Sequence, residues 1–468
     1  MEPEILLREI ADYCRRTGVA ESTFGRLAVN DGKFVSRLRD GGRITTGTLE
    51  HVRSFMADPQ PKQGRRTPTL LVERTKRRGG EGAAKVDQPV PAAPSKERSF
   101  RFYDNRQKYL LFVSTCSEKS VVAQHVALEL ANIRPRPPAV RIFDAGVGDG
   151  TVLTRVMRAM HSRFPTMPFH IVGKEISLED VRLTLDKLPD RLFEHPATVF
   201  VLTNLYYTEA PWLQPRSVSA ATSLVWHELP LTGTTGHEFA EQITALEPFL
   251  SANWRVTSSA TSGNPLYERP AVLVIYRDDH RFLLDPIIPR RGGSQADFDL
   301  VIASQPYRAR SPLEFKALRV IAPLARSLGP GGRLLAIHSH GDDPGLEIIQ
   351  GVWPGESPFV HDRHQLLKAV KAELGSAARR LNFNAYADNR SLFRYHMHTL
   401  PTEVSDSIGT STLLAAWNAA IYVGQIEDAR LESVLTERRY LDVTRAVLQK
   451  HGGLWFWDES YVISRHRD

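Results

Sequence analysis

The stretch RIFDAGVGDGTVLTRVMRAM, residues 141 to 160, restricts the possible folds of this chain more than any other. An apolar run breaks into three glycines at alternate positions, Gly146, Gly148 and Gly150. Apolar residues then return at Leu153, Val156, Met157 and Met160, the i, i+3, i+4, i+7 spacing of a helix face turned to a core. The pattern predicts a buried strand, a tight loop and a helix, with Asp149 as a helix cap. A loop stripped of side chains lets a ligand approach the backbone, and the first amides of the helix point unused donors at it.

Around this unit the chain alternates strand and helix from about residue 99 onward, the mark of an α/β sheet. AVRIFDAG, PFHIVGKE, PATVFVLTN, DFDLVIASQP and GGRLLAIHSH are five short apolar runs of buried-strand type. SLFRYHMHTL and GLWFWDESYVISRH predict two more, antiparallel to each other. The expectation is a doubly wound, seven-stranded α/β sheet over residues 99–468. About 95 residues separate its third and fourth strands, far more than an ordinary connection needs. Residues 208–297 therefore read as an insertion that covers or builds a substrate site, with a hairpin in AVLVIYRDDHRFLLDPII. A rival assignment makes TSLVWHELPL the fourth strand; the helix, turn and strand rhythm of LGPGGRLLAI favours DFDLVIASQP.

Residues 1–59 are predicted all-helical, with two short helices around an Asn-Asp-Gly turn, the helix-turn-helix pattern. The segment resembles helical DNA-binding domains of phage-repressor type, in which GKFVSRLRDG would enter the groove. That resemblance implies contacts from Lys33, Ser36, Arg37, Arg39 and Arg43. The rival is a docking or dimerisation bundle, because residues 1–60 carry nine basic and nine acidic side chains and DNA binding leans on phosphate neutralisation. Most of the net charge of +7 lies instead in residues 60–98, with ten basic and four acidic side chains in a Pro-, Gly- and Ala-rich stretch read as a flexible linker. Two distant cysteines, Cys14 and Cys116, and no apolar run of membrane-spanning length lead to the expectation of a soluble, cytoplasmic protein.

The glycine spacing is G-x-G-x-G, where a dinucleotide loop requires G-x-G-x-x-G, and the acid ending the second strand, Glu175, follows Gly146 by 29 residues where about 20 is usual. Both departures count against a nicotinamide cofactor. DAGVGDGT resembles the first motif of the class I S-adenosylmethionine-dependent methyltransferases, and the resemblance extends over the five strands. It implies S-adenosyl-L-methionine as cofactor, with Asp144, Gly146 and Gly148 along its methionine part, Glu175 on the ribose hydroxyls and Asn204 at the adenine. Ser304-Gln305-Pro306-Tyr307, ending the fourth strand, resembles the N-x-P-Y motif of enzymes that methylate planar nitrogens. The resemblance implies hydrogen bonds from the target amino group to a polar side chain and a backbone carbonyl, with the Tyr307 ring stacked on the target. His338 is a candidate general base. No Cys or carboxylate cluster completes a ligand set around the paired histidines His338/His340, His396/His398 and His361/His364, so no metal is expected. Three functions stay open: a nucleic-acid methyltransferase, a small-molecule or protein methyltransferase (O-methylation included), and a non-catalytic cofactor-binding, DNA-binding regulator.

Overall fold

The computed structural model describes residues 2–17, 19–29, 31–40, 46–57, 106–259, 265–398, 408–435 and 438–467. Two compact units result, Met1–Pro91 and Ala92–Asp468. The stretch expected to be a linker lies outside the described residues, as does Arg43. Among the described residues no helix is long and apolar enough to cross a membrane.

The first unit holds α1 (Glu2–Thr17), α2 (Glu21–Val29), α3 (Phe34–Arg39) and α4 (Thr46–Ala57). Leu6, Ile10, Phe24, Leu38 and Val52 form its core, and Phe24 meets Tyr13 and Phe55 edge-on. Gly25 in α2 is required by packing, since a Cβ there would stand 2.4 Å from the Asp31 carbonyl oxygen. The turn before α3 presses against α2 at that point.

The second unit is a ten-stranded sheet with helices on both faces. Its strands are β1 (Val140–Asp144), β2 (Phe169–Lys174), β3 (Thr198–Thr203), β4 (Val225–Leu231), β7 (Ala271–Arg277), β8 (Phe298–Ser304), β9 (Leu328–Ser339), β10 (Leu381–Asn384), β11 (Leu392–His396) and β12 (Trp455–Arg465); β5 (Val256–Ser258) and β6 (Pro265–Tyr267) pair separately. The order is β10-β12-β9-β8-β1-β2-β3-β7-β4, with β11 on another part of β12. From β1 the chain winds outward through β2 and β3, then returns to place β8 on the other side of β1. That reversal makes the sheet doubly wound, as expected, and puts a crevice between β1 and β8. Ile142 and Phe200 point into one apolar layer, Phe143 and Val201 into the other, which is why these strands read as continuous apolar runs.

The insertion departs from expectation. It extends the sheet, with β7 antiparallel to β3 and β4 parallel to β7. AVLVIYRDDHRFLLDPII is not a hairpin: β7 ends at Arg277, whose guanidinium binds Asp279 in a helical turn, and the helix Arg281–Leu284 follows. DFDLVIASQP is the strand beside β1, and VWHELPL occupies the outer edge. The two late strands pair antiparallel as expected, although three helices separate them and the shorter β10 also pairs with β12.

Candidate functional site

The C-terminal ends of β1, β2, β3 and β8 open on a cavity of about 600 Å³, within the size range of ligand sites. Its other walls come from α5 (Arg106–Thr115), the start of α6 (Glu118–Leu130) and the helix Thr410–Val423. After β1 the chain turns at Gly148 (φ +55°) and Gly150 (φ +77°), left-handed positions that favour glycine, and enters α7 (Thr151–Arg163). The helix that follows β2, α8 (Leu178–Asp186), clamps this turn: Thr184 Oγ1 donates to the Gly148 carbonyl at 2.8 Å, and a Cβ on Gly150 would stand 2.9 Å from Thr184 Cα. Gly146 is different. It has no positive φ, it faces the cavity, and a Cβ on it would meet nothing within 4 Å. Neither conformation nor packing calls for glycine there.

Asp144 lies beneath the loop, buried, with Oδ1 accepting from Gly146 N at 3.1 Å. Burial pushes its carboxyl up to about 7 against the pull of that amide. Glu175 faces the cavity; Oε2 accepts from Gly148 N at 2.9 Å, and Oε1 from Ile176 N and Ser177 N. Glycine loop and acid are thus tied together at the crevice. Tyr109 from α5 stands over the loop, with its hydroxyl 3.3 Å from Asp149 Oδ1. Lys119 pairs with Glu118 at 3.5 Å beside it, and Lys174 at the end of β2 lies over the Tyr207 ring. Burial pulls the Lys174 ammonium down, opposed by Glu175. The sequence reading missed all three, because the helices that carry Tyr109 and Lys119 precede the motif and nothing in their spacing marks them.

Asn204 does not line the cavity. It is buried, its Nδ2 donates to the carbonyls of Asn253 (3.3 Å) and Arg269 (2.8 Å), and its Oδ1 accepts from Ala271 N (2.8 Å). An amide with its polar atoms so used fastens the insertion to β3, and the residues after β3 that reach the cavity are Tyr206, Tyr207 and Thr208.

Ser304, Gln305 and Tyr307 do line the cavity, though their polar groups are largely engaged. Gln305, at φ +48°, donates from Nε2 to Asp458 Oδ1 (3.1 Å) and accepts at Oε1 from Ser339 N (3.2 Å). Tyr207 donates to the Pro306 carbonyl at 2.9 Å. Tyr307 is only 7% exposed, with its hydroxyl 3.3 Å from that of Tyr461 and the Lys316 ammonium 5.0 Å over its ring. His338 is not at the cavity. Its Nε2 lies 3.0 Å from Glu459 Oε2, and burial pulls its pKa down. Among the described residues no group of His, Cys, Asp and Glu could hold a metal.

The nucleic-acid candidates belong to the first unit. Arg37 pairs with Asp31, and Arg39 makes two hydrogen bonds to Glu21 at 2.9 and 3.0 Å. Both guanidinium groups stay largely exposed, as do Lys33 and Ser36.

A doubly wound sheet with a glycine loop at its switch point is a Rossmann-like fold. No family profile and no curated protein sequence matches the chain. Solved structures similar to it include a Galdieria sulphuraria protein assigned as a sarcosine dimethylglycine methyltransferase (10% identity over 75% of this chain and 86% of that one, TM-score 0.30). A geranyl diphosphate methyltransferase in complex with S-adenosylmethionine has 12% identity over 74% and 85%, TM-score 0.28. An rRNA methyltransferase from Streptomyces viridochromogenes has 15% over 53% and 77%, TM-score 0.20. At these scores they bear on no particular substrate, and the functional reading stands on the chain's own geometry.

Proposed function

We propose that the chain is an S-adenosylmethionine-dependent methyltransferase. The observation that carries this reading is Gly146: an exposed glycine at the switch-point cavity, needed by neither backbone nor packing, two residues from the amide that Glu175 holds. The donor set fits the group. Glu175 faces the cavity beside the loop, a carboxylate that suits ribose hydroxyls. When bound, the cofactor supplies an electrophilic methyl. Gly146 and Gly148 would take its methionine part and Glu175 its ribose hydroxyls, with Asp144 holding the loop from below. The walls would exclude water and keep the acceptor in line with the methyl. The resemblance of Ser304 to Tyr307 supports a nitrogen as acceptor. The ion pairs of Arg37 and Arg39 within the first unit favour a protein or small-molecule route over direct delivery of DNA by that unit.

The test is calorimetry with S-adenosylhomocysteine and NAD, followed by incubation with radiolabelled S-adenosylmethionine and cell extract. Binding of the former and label removed by nuclease, protease or small-molecule filtration identifies the acceptor class. Tight NAD binding with no affinity for S-adenosylhomocysteine sinks the reading.

A further inference from the structure

Most buried carboxylates of the second unit are fully used. Asp343 accepts from Leu346 N (2.8 Å) and from Trp457 N (3.1 Å) on its two oxygens. Glu459 holds Arg363 on both oxygens and His338 on one. Glu129 holds Arg333 and Arg390. Asp458, on β12, differs. It is wholly buried, its Oδ1 accepts from Gln305 Nε2, the Ser339 side chain lies beside the carboxyl, and its Oδ2 has no hydrogen-bond partner of ordinary geometry. A buried acceptor left unmade is costly, and one that persists in a native fold calls for an explanation.

Its direction is fixed by register. Asp458 stands opposite Ser339 of β9, a cavity residue, and directly opposed residues of an antiparallel pair share a face. Two positions along β12, Phe456 opposes Tyr395, which also lines the cavity. Gln305, which grips Asp458, directly follows Ser304 at the end of β8, and it holds a left-handed backbone to do so. The adjoining wall is aromatic: Phe112 lies 4.7 Å from Tyr422 and 6.1 Å from Tyr395, centroid to centroid. Lys119, another cavity residue, is paired with Glu118.

We propose that Asp458 binds the methyl acceptor through its free Oδ2, and that the acceptor is an amine on an aromatic or apolar body, whose N–H meets that oxygen and whose charge lies against the rings. The inference rests on the methyltransferase reading. Burial, with Glu118 and Asp343 nearby, pushes the Asp458 carboxyl well up, and a bound ammonium opposes that push. In the complex the carboxylate lies beside R–NH3+. The carboxylate takes a proton from that nitrogen; the freed lone pair forms the C–N bond as the methyl–sulfur bond breaks and its electron pair stays on sulfur. The methylated ammonium leaves with its charge, and atoms and electrons balance.

The probes are benzylamine, benzyl alcohol and benzoate, titrated by calorimetry into the full chain saturated with S-adenosylhomocysteine. Benzylamine should bind about tenfold or more tighter than the other two, and Asp458→Asn should erase that preference while affinity for S-adenosylhomocysteine is kept. A wild-type ranking led by alcohol or benzoate, or a preference that survives in D458N, overturns the proposal. If S-adenosylhomocysteine fails to bind wild type, the methyltransferase reading has failed first. Should D458N lose S-adenosylhomocysteine through misfolding, Asp458→Ser, which keeps an accepting oxygen for Gln305, carries the same comparison.

Discussion

The loops after β1 and after β8 leave neighbouring parallel strands at the same end of the sheet, and they dispose of their polar groups in opposite ways. After β1 the side chains are missing and the backbone faces the cavity, with space at Gly146 that no protein atom claims. After β8 the side chains are present but committed: Gln305 to Asp458 and Ser339, the Pro306 carbonyl to Tyr207, the Tyr307 hydroxyl to Tyr461. A backbone grip carries its own meaning in one sequence position. A side-chain motif takes its meaning from partners 34 to 154 residues away.

Four substitutions probe the contrast. Tyr307→Ala should show the largest effect, about 3–5 kcal/mol off the unfolding free energy in denaturant melts, because it empties a buried ring site. Tyr307→Phe, which loses only the bond to Tyr461, should cost about 1 kcal/mol. A Tyr307→Ala protein of unchanged stability but turnover lowered 10- to 100-fold (about 1.4 kcal/mol per decade) would instead make the ring a stacking surface for the acceptor. Gly146→Val should do the reverse at the other loop. Stability stays within about 0.5 kcal/mol, while affinity for S-adenosylhomocysteine falls on the order of 100-fold, roughly 2.7 kcal/mol; unchanged affinity would remove the main support for the cofactor site.

Asp144→Asn tests the carboxyl beneath the β1 loop through pH. In the folded chain this group keeps its proton up to about 7, whereas its ordinary value is 3.8. Between those values the unfolded chain binds fewer protons than the folded one, so stability falls as pH rises. Asp144→Asn should flatten that fall in melts taken across the window, and an identical slope would show the carboxyl to be ionised in the fold. The smallest effect is expected in the first unit. Arg37→Ala with Arg39→Ala should leave gel-shift affinity of the full chain for duplex DNA nearly unchanged if the ion pairs to Asp31 and Glu21 define their role. If the arginines meet phosphates, the salt slope should drop by about one per contact.

How much could be read from sequence follows the same division. β1, β2, β3, β8 and β9 announce themselves because strands buried on both faces are unbroken apolar runs, and Glu175 because it ends one of them. β10 does not, since the four residues of LNFN carry too little pattern, and β4 mixes half-exposed Trp226 and His227 with exposed Glu228. Asn204 and His338 sit at strand ends, where sites are expected, and only the partners Ala271 and Glu459 reveal that they are occupied. Asp458 is the converse: in WFWDESYVISR it looks like any polar residue of a strand.

The sheet extension beyond β3 bears on solubility. All six residues of β3, TVFVLT, are buried, and without β7 they would form a long apolar edge, open to pairing with any extended chain. The insertion hands the edge to β4, a strand that is half-exposed and carries Glu228 and Pro230, features that discourage such pairing. Trimming residues 208–297 to obtain a smaller domain would therefore yield aggregating protein, visible as insoluble material at expression.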